Sequence, residues 1–341
     1  MNKILVLGGA GYIGSHTCKR LRASGFDPVT YDNLSEGYAE FVKWGELIAG
    51  DIRCRSELDA ALARVRPAAV IHFAAYAYVG ESVTNPGKYY ENNTLGSLNV
   101  AQALRDAGNI PLIFSSTCAT YGIPDDGLIS EDNAVQPINP YGRSKLMVEQ
   151  ILQDFSSAHG LRSACLRYFN AAGADPDREI GEAHREETHV IPRAILAGLG
   201  RIDNFAVFGD DYSTKDGSAV RDYVHVNDLA DAHVAACRYL VDKNGQSDVF
   251  NVGVGRGYSV LEIIKAVEEE IGNRVPYTVK SRRPGDPPEL VAATDKTQKI
   301  LGFQAQYSDL PGIVQTAAAW HRMNWMPAKV SRTGNRVPSF A

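Results

Sequence analysis

Through the first half of the chain, short runs of β-branched and other apolar residues alternate with longer stretches whose apolar positions recur at helical spacing. The runs fall at residues 4–7, 28–31, 69–73, 112–115 and 163–168, and the helical stretches at 15–24, 56–65, 89–107 and 141–158. Strands covered on both faces read as continuous apolar runs, whereas the helices that cover them show a 3.6-residue period. The pattern therefore predicts successive βαβ units: an α/β fold built on a doubly wound parallel sheet. Beyond about residue 170 the periodicity gives way to stretches rich in Gly, Pro and Asp, such as NAAGADPDREIG and RRPGDPP, with short helical patterns at 227–239 and 259–271. This predicts a smaller C-terminal α/β lobe. The expected division is a first domain over 1–170, to which 215–240 returns, a second lobe over 171–330, and a polar, frayed tail over 331–341 that begins to lose apolar character at 327. There is no internal repeat and no low-complexity tract.

Composition narrows the partners. With 341 residues, 44% hydrophobic, 22% charged and a net charge of −5, the chain offers no basic surface, so nucleic acid is not an expected partner. An apolar strand follows directly on Met1 and Asn2, without the layout of a signal peptide, and no run is long enough for a membrane span. Cys18, Cys54, Cys118, Cys165 and Cys237 are scattered, with no CxxC pair, which suggests reduced thiols in a cytoplasmic protein and neither a disulfide framework nor a metal site.

Three stretches carry candidate chemistry. Gly8, Gly11 and Gly14 in GGAGYIG lie between the first strand and the first helix. Glycines there permit a tight turn and close approach of a pyrophosphate to a helix N-terminus, the Rossmann-type arrangement. Asp32 ends the second strand, placed to accept hydrogen bonds from an adenosine ribose and to repel a 2′-phosphate, so NAD is expected rather than NADP. Asp51 and Ile52 in GDIR are expected to flank the adenine, and Phe73 and Ala74 in HFAA to line the dinucleotide. The second stretch, FSSTCATYG, gathers Ser115, Ser116, Thr117 and Thr120 beside Tyr121 without a carboxylate. The third, NPYGRSK, sets Tyr141 and Lys145 four residues apart on one helical face, where an ammonium favours phenolate and prepares the tyrosine to take a proton from an alcohol.

Jointly, these motifs give the chain a resemblance to the extended short-chain dehydrogenase/reductase family, and within it to the UDP-glucose (UDP-galactose) 4-epimerases. The match runs through GGAGYIGSH, YDNLSEG, GDIR, VIHFAAYAYVGESV, YYENN, FSSTCATYG, NPYGRSK, LRYFNAAGADP, VFGDDY, VRDYVHVNDLADAH and RRPGD. The resemblance implies that residues 1–170 bind NAD and the second lobe a UDP-sugar. Thr117 takes the family's catalytic Ser/Thr position beside Tyr141, and Lys145 also holds the nicotinamide ribose. Further cofactor contacts are implied for Tyr12, Ile13, Asn33, Ala75, Asn92, Ser115 and Tyr168. On the substrate side, Asn170, His189 and Val190 are expected at the diphosphate, Tyr168 near the sugar, Arg221 and Arg283 on phosphate, Asp286 at the uridine ribose and Phe208 near uracil. Members also commonly pair as homodimers through two helices each, here 89–107 and 141–158.

The acids that follow the Ser/Thr in related dehydratases and decarboxylases are replaced by Cys118 and Ala119. A site without them is equipped to oxidise C4 and reduce it again. Two departures bear on the sugar: Ala77 stands where a lysine is frequent, and Leu290 occupies what looks like the gate for the C2 substituent. His189 stands where enterobacterial members often have asparagine. The expected activity is NAD-dependent UDP-glucose/UDP-galactose 4-epimerisation. UDP-xylose/UDP-arabinose epimerisation by the same machinery is the nearest alternative, and a non-enzymatic NAD sensor is the alternative of another class.

Overall fold

The computed structural model describes residues 2–124, 127–283 and 285–326, so the expected polar tail lies outside the described residues. The first six strands are β1 (Lys3–Leu7), β2 (Asp27–Asp32), β3 (Leu47–Ala49), β4 (Ala69–His72), β5 (Leu112–Thr117) and β6 (Ser163–Tyr168). They are followed by β7 (Asn170–Ala172), β8 (Ala206–Phe208), β9 (Val220–His225), β10 (Asp248–Val252), β11 (Gly257–Ser259), β12 (Thr278–Lys280) and β13 (Glu289–Leu290). Seven of these form one parallel sheet in the order β10-β6-β5-β4-β1-β2-β3. The strand order reverses between β1 and β4, and open α/β sheets leave a crevice at the carboxyl end of such a reversal.

Alternation along β1 shows why the sheet is covered twice. Ile4 and Val6 face a core shared with Leu21 of helix Tyr12–Ala23 and Leu229 of helix Val226–Val241. Leu5 and Leu7 face another, shared with Leu62 of helix Arg55–Val65, Leu104 of helix Gly96–Asp106 and Val148 of helix Pro140–His159. Each such side chain, fully buried, is worth about 1.5–3 kcal/mol. Two strands of the sheet lie outside the expected set. β3 is too short to show a period, and β10 comes from the segment assigned to the second lobe. The return of the chain to the first domain thus runs past 240 to Val252, and Leu301 and Phe303 join the same core later still.

The second lobe sets the sheet β11-β9-β13, with β7 also paired to β9, against a core of helices Val190–Gly198, Val260–Ile271 and Leu310–Arg322. Ser259 and Glu262 close a reciprocal capping box that starts the second of these helices. One feature in the first domain departs from the simple helix read at 89–107. The chain runs as α-helix Pro86–Tyr89, widens into a π-helical segment at Tyr90–Leu95 and resumes as Gly96–Asp106. The widened turn holds Asn92 and Asn93 buried, and the Asn93 amide bonds the Tyr76 backbone (2.9 and 3.0 Å) and the Ser144 hydroxyl (3.1 Å). Such insertions concentrate at functional sites. Among the described residues no helix is long and apolar enough to cross a membrane.

Candidate active site

At the reversal of strand order, the chain leaves β1 through Gly8, whose φ of +81° suits glycine. A Cβ there would stand 2.6 Å from the Ala74 amide nitrogen, and one on Gly14 would stand 2.2 Å from the Gly8 carbonyl oxygen. The turn can therefore close against the end of β4 only without side chains. Helix Tyr12–Ala23 begins beyond it with no side-chain cap and no acid in its first turn, which leaves its N-terminal amides for an anion. Asp32, at the end of β2, accepts the Ala10 amide on Oδ2 (3.0 Å) and the Leu34 amide on Oδ1 (2.8 Å). Burial raises its pKa and the two amides oppose that shift. Each oxygen keeps lone pairs for ribose hydroxyls.

A cleft runs over this edge, lined by Gly8, Gly11, Asp32, Asn33, Ile52, Phe73, Ala74, Ala75 and Asn92 of the expected set. Tyr31, Ser35, Glu36, Gly37, Gly50 and Tyr76 line it as well and were not singled out. The signal for Gly37 was present in YDNLSEG: a Cβ on it would meet the Ala10 backbone at 2.8 Å, a second close approach of loop to loop. The closed glycine turn, the open helix N-terminus and the ribose-height carboxylate together fit a dinucleotide. Three of the expected residues have other side-chain partners in the protein alone. The Tyr12 hydroxyl donates to the Gly173 carbonyl (2.6 Å), Ile13 packs on the core, and Asp51 accepts from Arg53 (2.8 Å) and Asn33 (3.0 Å), with the Arg53 guanidinium holding its pKa down to about 2.

Next to the cleft, β5 and helix Pro140–His159 bring the hydroxyl stretch to the tyrosine–lysine pair. Asn139 caps the helix by accepting the Gly142 amide (2.8 Å), Pro140 fills the first turn, and Tyr141 and Lys145 follow on the buried face at 7% and 3% exposure. Thr117 ends β5 and accepts the Ala119 amide (3.1 Å), and its side chain lies near enough to Tyr141 to favour the phenolate against the cost of burial. Lys145 Nζ donates to the Ser115 carbonyl (2.7 Å), and the Ser115 hydroxyl meets that of Tyr168 (2.8 Å). The expected electrostatics are corrected here. Burial, reinforced by Tyr168, raises the Tyr141 phenol, and burial lowers the Lys145 amine to about 7 against the pull of Glu149. Desolvation penalises both charged forms, and in the protein alone it outweighs the attraction that spacing suggests.

The remaining expected residues gather on the second lobe. Asn170 of β7 donates to the Asp222 carbonyl (3.1 Å). Arg221 of β9, in register with Leu290 of β13, forms an ion pair with Asp286, not with the adjacent Asp222, whose carboxylate instead takes the backbone amides of Val254, Gly255 and Ala292. The Arg283 guanidinium lies over the Phe208 ring at 4.1 Å from its centroid. His189 precedes Val190 at the start of helix Val190–Gly198, and its Nδ1 lies 2.8 Å from Glu182 and 2.9 Å from Glu187. Desolvation opposes charge on His189, yet the carboxylates of Glu182 and Glu187 raise its pKa well above that of an ordinary imidazole. His184 also reaches Glu182 (3.1 Å), and the four ligating atoms of Glu182, His184, Glu187 and His189 lie within 4.8 Å of one another.

Residues 4–253 match the model of the NAD dependent epimerase/dehydratase family, and the chain belongs to that family. Within it, the chain is 53% identical to the UDP-glucose 4-epimerase of Rhizobium meliloti, over 94% of this chain and 97% of that one. Its fold superposes on the crystal structure of UDP-glucose 4-epimerase from Brucella ovis in complex with NAD with a TM-score of 0.92 at 50% identity, covering 94% of this chain and 98% of the other. The enzyme from Stenotrophomonas maltophila with bound NAD and formylated UDP-arabinopyranose gives 0.91 at 38% identity, covering 95% and 99%. Asp32→Ala is expected to narrow the preference for NAD over NADP by about tenfold, since one lost charged contact is worth on the order of 1.4 kcal/mol. Titration of both dinucleotides into stripped protein measures it, and an unchanged ratio refutes the assignment.

Proposed function

We propose that the protein is an NAD-dependent UDP-sugar 4-epimerase that interconverts UDP-glucose and UDP-galactose through a 4-keto intermediate. The observation that carries this reading is the meeting of Thr117, Tyr141 and Lys145 in one buried wall beside the dinucleotide cleft, with Cys118 and Ala119 following Thr117 where an acid would serve other reactions. Gly8, Gly11, Gly14 and Asp32 would hold the dinucleotide, with Ile52, Phe73, Ala74 and Asn92 along its length. NAD, when bound, would supply reversible hydride acceptance for C4 of the sugar. Tyr141 takes the C4 hydroxyl proton in the first half and gives it back to the oxygen in the second. Lys145 favours the phenolate, and the Thr117 hydroxyl, fixed by the Ala119 amide, orients the sugar oxygen. Burial pushes the Cys118 thiol up to about 12, so it offers no further base. Between the two transfers the keto sugar must turn over.

Arg221, Arg283, Asn170 and His189 at a helix N-terminus suit a diphosphate, Phe208 a uracil ring and Asp286 a ribose. Leu290 packs with Cys118 against Tyr121 and Phe169, one residue along from Thr117, which suits a gate on the sugar. Two copies pairing through the helices at 86–106 and 140–159 is part of this reading, because Leu95 and Met147 stand 51% and 40% exposed on them. The unpaired cysteines suit a reducing, cytoplasmic setting.

Proton NMR of the purified protein with UDP-galactose, without added NAD, is expected to show UDP-glucose signals appearing, and faster than any conversion of UDP-xylose. No conversion of either sugar, with NAD supplied, overturns the reading. Tyr141→Phe is expected to lower kcat by at least about a hundredfold with the fold intact, as loss of a general acid–base group does; wild-type turnover would remove Tyr141 from the mechanism. Leu290→Tyr is expected to depress turnover of N-acetylhexosamine substrates relative to hexoses, and an unaltered ratio would place the gate elsewhere.

A further inference from the structure

Helix Pro140–His159 carries a third buried polar residue in line with the first two. Tyr141, Lys145 and Glu149 follow at i, i+4 and i+8, with Glu149 at 7% exposure. Consecutive residues of β5 meet them: the Ser115 carbonyl takes Lys145 (2.7 Å), the Ser116 hydroxyl donates to Glu149 Oε1, and the Thr117 side chain favours the Tyr141 phenolate. Arg167 of β6, in register with Ser116, grips the Glu149 carboxylate from the other side with Nε to Oε1 at 3.0 Å and Nη2 to Oε2 at 2.6 Å. The guanidinium in turn lies over the Tyr121 ring, 4.8 Å from its centroid. A carboxylate fixed this firmly has no freedom to follow a substrate, but it can fix a field.

The groups around Lys145 leave Glu149 as its only anionic neighbour among the described residues. Facing the amine from β4 is His72, which burial keeps neutral with a pKa of about 3. From β5 comes the Phe114 ring at 4.9 Å, and on its own helix stands Tyr141, whose phenol burial raises. Facing Glu149 are Arg167 and the Cys165 thiol of β6, the latter held protonated by burial and by Glu149 itself. Burial draws the Lys145 pKa down to about 7, and Glu149 is the one group that opposes it.

We propose that Glu149 is a positioning residue for the reaction: fixed by Ser116 and Arg167 one helical turn beyond Lys145, its carboxylate places a negative charge behind the buried amine and sets the pH range in which Tyr141 accepts a proton. This rests on the epimerase reading above and extends it to a residue that touches neither sugar nor dinucleotide. The sign of each perturbation follows. Without Glu149, Lys145 loses its proton at lower pH, and the alkaline limb of kcat moves down. Without Arg167, the carboxylate acts unopposed and the limb moves up.

The test is the pH profile of kcat for UDP-galactose in cofactor-loaded protein, for wild type, Arg167→Met and the double variant Glu149→Gln/Arg167→Met. Replacing both partners of a buried pair by neutral groups is often tolerated, and melting temperature reports folding. The double variant is expected to shift the alkaline limb down by about one pH unit or more, read above the limb as about a tenfold fall in kcat. Arg167→Met is expected to shift it up. A folded double variant with the wild-type limb, or two variants shifting in the same direction, overturns the proposal. Should neither charge variant fold, Ser116→Ala decides: release of the tether lets the carboxylate lean toward Arg167 and lowers the limb, and an unmoved limb counts against the idea. Wild-type protein inactive on every nucleotide sugar would instead defeat the underlying epimerase reading.

Discussion

Burying an amine and a phenol in one wall of the protein is the constraint on which the rest of the site depends. Neither Tyr141 nor Lys145 holds a charge easily in a medium that solvates ions poorly: burial raises the phenol and lowers the amine to about 7. Reactivity must therefore come from the pair together with fixed charges placed nearby. The hydrogen bonds at Ser115 and Ser116 serve that end, because they hold Lys145 and Glu149 of the helix against consecutive residues of β5. A groove open to water would screen those charges and lose the effect.

The sheet supplies the geometry. Because β1 and β4 are neighbours and the strand order reverses between them, the glycine turn after β1, the Asp32 carboxylate after β2 and the end of β5 reach a common edge from distant parts of the chain. The second lobe is tied to that edge through β7, which follows β6 after a single residue and pairs with β9. Asn170 thus lies on the strand that follows β6, Arg221 on the strand paired with it, and Leu290 on the strand beyond.

Much of this was legible in the sequence because it rests on patterns with a short period. Doubly covered strands, the glycine turn, the acid ending β2 and the i, i+4 pair all announce themselves locally. What was not legible depends on distance or on medium. β10 pairs with β6 across more than eighty residues, a partnership that no local pattern encodes. The π-helical turn at Tyr90–Leu95 leaves apolar spacing nearly unchanged while moving Asn92 and Asn93 inward. The protonation of Lys145 follows from its burial, which spacing alone does not reveal. Arg167 and Glu149 could have been suspected from an arginine in the middle of a buried strand and an acid one turn beyond the lysine, but their pairing is tertiary.

The ion pair of Arg221 with Asp286 and the stack of Arg283 on Phe208 have a consequence for kinetics and for the resting molecule. On the reading proposed above, groups suited to a nucleotide diphosphate are engaged with each other, so capture of such a ligand would be an exchange of partners, not the filling of bare charge. Association then carries a barrier of internal contacts to be broken, and its driving force is the difference between two sets of similar bonds. The same self-engagement keeps an aromatic platform and two guanidinium groups from presenting themselves to other anions and apolar surfaces while the lobe waits.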